Sequence, residues 1–156
     1  MSTEDNKAIV RRFFEDVHNQ GNAAAVDELL APNILLHFDS PSDVPVSAEM
    51  QLSLEEIKQF VSQFRTTFPD YHFIVELQVA EGDMVVTRGT ARGTQTGEYR
   101  GLTYKGIPPT GKQVTWTETW IYRIGDGKLV ELWSNEDDVG RLQQIGALPM
   151  PEQASQ

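Results

Sequence analysis

At Pro69 the spacing of apolar residues changes from helical to alternating, and this switch constrains the fold more than any other feature of the chain. Before it, Ile9, Val10, Phe13, Phe14 and Val17 recur at i, i+3, i+4 and i+7 within Ser2 to Gln20. That stripe predicts an amphipathic helix, with Ser2 or Thr3 as its cap and Asn19-Gln20-Gly21-Asn22 as its stop. A short second helix is expected over Ala23 to Leu30, closed by Pro32, followed by a strand at Ile34 to Phe38. Asp39 to Gln51, with prolines, serines, acids and no period, is expected to be a loop or flap. Ser53 begins a Ser-Leu-Glu-Glu capping box for a third helix, whose stripe is Ile57, Phe60, Val61, Phe64 and Phe68.

After the switch, four segments alternate at period two: Tyr71 to Ala80, Met84 to Thr94, Gln113 to Ile124 and Lys128 to Ser134. Turn signals separate them at Glu81-Gly82-Asp83, in the Gly/Pro-rich stretch from Gly97 to Gly111, and at Gly125-Asp126-Gly127. A final short helix is expected over Glu136 to Ile145, ended by Gly146. Three helices followed by consecutive antiparallel strands form an α+β pattern. Its 156 residues suit one domain, residues 1–148, with 149–156 as a flexible tail.

The third alternating segment predicts the inner face. Val114, Trp116, Glu118, Trp120, Tyr122 and Ile124 share one side, and Thr115, Thr117, Thr119 and Arg123 the other. The aromatic side should meet the helices, which sets Glu118 among rings. A carboxylate there needs a partner or a raised pKa, and Arg88 on the neighbouring strand is the candidate partner.

Several classes of chemistry are excluded or disfavoured. With no cysteine, disulfides, thiolate catalysis and cysteine-bound zinc are ruled out. The net charge of −10, from 23 acids against 13 bases, repels phosphate backbones and anionic lipid, so neither nucleic acid nor membrane is an expected partner. Met-Ser-Thr-Glu-Asp-Asn does not read as a secretory signal, and the expected location is cytoplasmic. Gly106 to Gln113 nearly spells a phosphate loop, but it lacks the final hydroxyl and leads into a strand. The three histidines, His18, His37 and His72, show no metal-ligand spacing. Asp137, in the first turn of the last helix, is either a dipole-favoured cap or a base at a pocket rim. His37 is either a hydrogen-bonded core residue or a proton donor.

Taken in order, these pieces resemble the SnoaL-like polyketide cyclases and ester cyclases of the nuclear-transport-factor-2-like superfamily. The resemblance runs from about Asn6 to Leu148. It is carried by Val10-Arg-Arg-Phe-Phe, Asn19-Gln-Gly-Asn22, Phe68-Pro-Asp70, Pro109-Thr-Gly-Lys112, Asp126-Gly-Lys128, Glu131-Leu-Trp133 and Leu142-Gln-Gln-Ile-Gly146. It implies a cone in which helices pack on a curved antiparallel sheet around a deep pocket. It further implies an aspartate that deprotonates a carbon between two carbonyls, with no metal or cofactor, so that the enolate closes a ring by aldol attack. That aspartate falls on Asp137, and the family histidine on His37. Trp116, Glu118, Trp120, Tyr122, Trp133, Arg88, Gln95 and Asn135 are the expected substrate-binding set. Gln95 stands where many relatives carry histidine, and Trp116 and Trp120 are bulkier than usual. The expected function is therefore cofactor-free acid/base catalysis on a small carbonyl-rich hydrophobic substrate. The competing expectation is a non-catalytic binding protein with Trp116, Trp120 and Trp133 as an apolar box. An exposed outer sheet face also leads us to expect a homodimer.

Overall fold

The computed structural model describes residues 1–39, 47–100 and 105–150. The fold is α+β, with helices against the inner face of a six-stranded sheet in the order β2 (Ser47–Ser53), β1 (Leu30–Asp39), β8 (Lys128–Glu136), β7 (Gln113–Gly125), β4 (Met84–Thr94) and β3 (His72–Glu81). Helix α1 (Thr3–Arg12) starts at Ser2, whose hydroxyl accepts from the Asp5 amide at 3.1 Å while the Asp5 carboxylate accepts from the Ser2 amide at 3.0 Å. The helix then widens into a π-helical segment, Phe13–Asn19, in which the Gln20 amide reaches back five residues to the Glu15 carbonyl at 3.1 Å. Helix α2 (Ala23–Leu29) leads straight into β1 (Leu30–Asp39).

Strand β2 (Ser47–Ser53) pairs antiparallel with β1. The segment expected as a loop to Gln51 therefore contains a strand, and residues 40–46 of that expected flap lie outside the described residues. Helix α3 (Leu54–Thr67) carries the predicted capping box, with the Ser53 hydroxyl accepting from the Glu56 amide and the Glu56 carboxylate from the Ser53 amide. Then come β3 (His72–Glu81), β4 (Met84–Thr94), a small hairpin of β5 (Tyr99–Arg100) and β6 (Lys105–Ile107), β7 (Gln113–Gly125), β8 (Lys128–Glu136) and α4 (Asp138–Gln144).

One pairing departs from the expected antiparallel sheet. Strand β1 lies parallel to β8, with His37 opposite Trp133, because β1 enters from the N-terminal helices and not from a hairpin. The buried core sits between sheet and helices and includes Val10, Phe13, Phe14 and Val17 from the first helix and Phe73 and Tyr122 from the sheet. Phe14 stacks on Phe73 at 4.4 Å, and full burial of such a side chain contributes roughly 1.5–3 kcal/mol. No helix of the described residues is long and apolar enough to cross a membrane.

Candidate active site

The inner face of β7 alternates as expected, with Val114, Trp116, Glu118, Trp120, Tyr122 and Ile124 all buried. Side chains two apart on a strand share a face, so the indoles of Trp116 and Trp120 flank the Glu118 carboxyl. Trp116 Nε1 donates to Oε1 at 2.6 Å, and Trp120 Nε1 donates to Oε2 at 2.8 Å. The Tyr71 hydroxyl lies 3.5 Å from both oxygens. Glu118 itself is 2% exposed. Its desolvation, and next the nearby Glu136 carboxylate, push its pKa up to about 8, against the pull of the two indole donors and Arg141.

Glu136 lies opposite Glu118 across the β7–β8 pair. Burial also raises its pKa, with the Arg141 guanidinium opposing. Arg141 Nη1 donates to Glu136 at 2.8 Å, and Nη2 pairs with Asp138. The guanidinium lies 4.9 Å from the Trp116 ring centre and 5.5 Å from that of Tyr99, a cation–π seat on both sides. Burial works against its charge, but Glu136 above all, with Tyr99, Asp138 and Glu118, holds its pKa above the usual guanidinium value.

Glu118, Glu136 and Arg141 line a cavity of about 130 Å³. His18, Tyr71 and Trp120 line its wall, and Phe60 and Phe64 of α3 also border it. An apolar cavity of about 150 Å³ holds one benzene ring, so this partly open cavity admits a group of about that size. Chemically, a carboxyl that titrates near neutrality in a largely apolar cavity can take or deliver a proton.

The expected residues divide between this cavity and the rest of the fold. Glu118, Trp120 and Asn135 line it. Trp116 is packed behind Glu118, and Tyr122 is in the core against Phe13 and Phe14. Arg88 is not the partner of Glu118: Gly89 is the residue opposite, so Arg88 points to the outer face and pairs with Glu76 at 2.8 Å. Gln95 is buried as a brace, accepting from the Thr110 hydroxyl at 2.6 Å and donating to the Pro108 carbonyl at 3.0 Å. Trp133 is on the outer face, where His37 stacks on it at 4.6 Å and 5°. His37 Nε2 sits 2.7 Å from a Glu131 oxygen. Asp137 is exposed and caps α4 by accepting from the Gly140 amide at 2.9 Å. Neither His37 nor Asp137 lines the cavity.

His18, Tyr71, Glu136 and Arg141 are site residues that the sequence reading passed over. None carried a usable signal: the hairpin turn at Gly125-Asp126-Gly127, counted in strict register, places Asn135 and not Glu136 opposite Glu118. Among the described residues, no three His, Asp or Glu side chains are grouped to hold a metal ion.

The sequence profile of the SnoaL-like polyketide cyclase family matches residues 8–145. Among solved structures, a candidate polyketide cyclase from Acidithiobacillus ferrooxidans is 30% identical, with a TM-score of 0.76 over 94% of this chain and 99% of that one. The candidate polyketide cyclase IdmH from Streptomyces antibioticus is 28% identical, with a TM-score of 0.72 over 90% and 98%. AclR, a candidate hydroxylase from Streptomyces galilaeus, is 25% identical, with a TM-score of 0.76 over 97% and 87%. No curated protein shows a comparable match.

Proposed function

The chain belongs to the SnoaL-like polyketide cyclase family, and from that footing we propose that it moves a proton on a small carbonyl-rich substrate, using Glu118 as the acid/base group. The observation that carries this reading is the Glu118 carboxyl, held by two indole donors at the wall of a partly open cavity. The C–H bond between two carbonyls breaks, its proton passes to the Glu118 carboxylate, and the electron pair becomes an enolate. The enolate carbon then attacks a second carbonyl, and Glu118 returns the proton to the new alkoxide. Atoms and charge balance with no other reactant. A pKa of about 8 keeps both forms of the carboxyl accessible near neutral pH.

Within this proposal Asp137 and His37 are peripheral: one supports a helix end, the other an outer-face stack. That same observation favours a second reading, ligand binding without turnover. The two are separated with benzoylacetone, a one-ring 1,3-diketone, by following deuterium exchange at the carbon between its carbonyls. Catalysis predicts accelerated exchange that Glu118→Gln abolishes and Asp137→Asn retains. Binding without acceleration supports the second reading. We further propose that a second copy covers the outer sheet face, where Ile74, Leu77, Val79 and Val86 are exposed. Sedimentation as a dimer is the expected result, and a monomer at micromolar concentration removes the idea.

A further inference from the structure

His18 is a histidine that the acid/base reading leaves unused. It comes near the end of the π-helical segment and is half-buried in the cavity wall. Rings surround it: Phe13 at 5.0 Å, Phe14 at 5.3 Å, Trp120 at 5.7 Å and Tyr71 at 6.1 Å between centres. Its backbone carbonyl accepts from Arg65 at 2.9 Å, yet its ring makes no hydrogen bond with any described residue. A neutral imidazole has one N–H to donate and one nitrogen to accept with, and at the cavity wall both are left for a group that enters the cavity. Two of these rings, Trp120 and Tyr71, also touch the Glu118 carboxyl. His18 therefore shares the cavity with Glu118, one side chain away.

The helix supplies an independent reason. π-helical segments are rare and concentrate at functional sites. Here the wider turn gathers Phe13, Phe14 and His18 onto one face, so residues five apart in sequence meet edge to face. Because the segment precedes the tight turn at Gly21, whose φ is +68°, it also fixes where the helix ends and hence where His18 stands.

We infer that His18 is the hydrogen-bond donor to the ligand's carbonyl oxygen, meeting the developing enolate while Glu118 holds the proton. This rests on the acid/base reading of the cavity and adds the group that stabilises the charge. Burial among the rings, and next the Arg65 guanidinium, push the imidazole pKa down to about 4, so the ring is neutral at physiological pH. The charged and titratable groups around it are Arg65 from α3, Tyr71 ahead of β3 and Glu118 from β7. A neutral imidazole donates without surrendering its proton to the enolate, as an imidazolium would.

The chain has three histidines, so a His37→Gln/His72→Gln protein reports His18 alone in nitrogen-15 imidazole NMR spectra. The inference expects a neutral tautomer down to about pH 5 and a clear shift of the N–H signal when saturating benzoylacetone is added. It also expects His18→Phe, which keeps a ring, to slow deuterium exchange by about 10²–10³-fold, as loss of one oxyanion donor does. His18→Gln, which retains an N–H, should recover part of that loss. Bound benzoylacetone with unmoved His18 signals, or His18→Phe exchange within about threefold of the parent, overturns the inference. Glu118→Gln reports separately on the acid/base reading, so the two can fail independently.

Discussion

Replacing Glu118 with glutamine should invert its effect on stability between acid and alkaline pH. The carboxyl titrates near its ordinary value of 4.5 when unfolded and at about 8 when folded. The folded state therefore binds this proton more tightly. Its contribution is fully present below about pH 4.5, falls as pH rises, and levels off above about 8. The full shift corresponds to roughly 5 kcal/mol, of which roughly 4 kcal/mol is lost between about pH 5 and about pH 9. Glutamine cannot ionise, so the slope vanishes in the variant. It has only one acceptor oxygen, however, and one of the Trp116 and Trp120 N–H donors loses its partner. An unsatisfied buried donor costs about 1–3 kcal/mol. For a cost of about 2 kcal/mol, the two stability curves cross near about pH 6, and by about pH 9 the variant is the more stable by roughly 2–4 kcal/mol. Urea titrations followed by tryptophan fluorescence at a series of pH values measure both curves. Parallel curves across that range would refute the reasoning, because they would mean Glu118 ionises in the fold without penalty.

Three further outcomes follow from the same geometry. Glu136→Gln removes the carboxylate that helps raise the Glu118 pKa, so the midpoint of the pH–exchange profile should move downward; an unchanged or higher midpoint counts against the coupling. Asp137→Ala should lower stability by about 1 kcal/mol through loss of the helix cap while leaving benzoylacetone exchange in place, and exchange lost at unchanged stability would contradict that role. Gly89→Ala puts a Cβ 2.2 Å from the Ile74 carbonyl and 2.5 Å from the Phe73 ring, so the urea midpoint should fall by an amount equivalent to about 1–3 kcal/mol. An unshifted midpoint would show that β3 moves aside freely.

The hydrophobic periods by themselves determined the helices, the four main strands and the inward row on β7 that carries Glu118. Those features are legible because each depends on residues a few positions apart, and the burial of one face follows from alternation alone. Strand β2 was overlooked although Ala48, Met50 and Leu52 alternate with Glu49, Gln51 and Ser53; the run is short, poor in β-branched residues and follows a stretch rich in prolines and serines, so pairing with β1 is what decides it. The site itself was decided by the tertiary structure. Counting back from the Gly125–Lys128 pair in strict register would set Asn135 opposite Glu118. A shift between Arg123 and Ile124 leaves Val130 unpaired and sets Glu136 there instead. In a strand, one residue of slip exchanges the two faces. That single bulge brings a second carboxylate beside Glu118 and leaves Asp137 to cap α4, while the parallel pairing of β1 with β8 keeps His37 on the outer face. No local pattern encodes such a shift, because it is the packing of β7 against β8, with Arg141 anchored on Glu136, that sets which register the chain adopts.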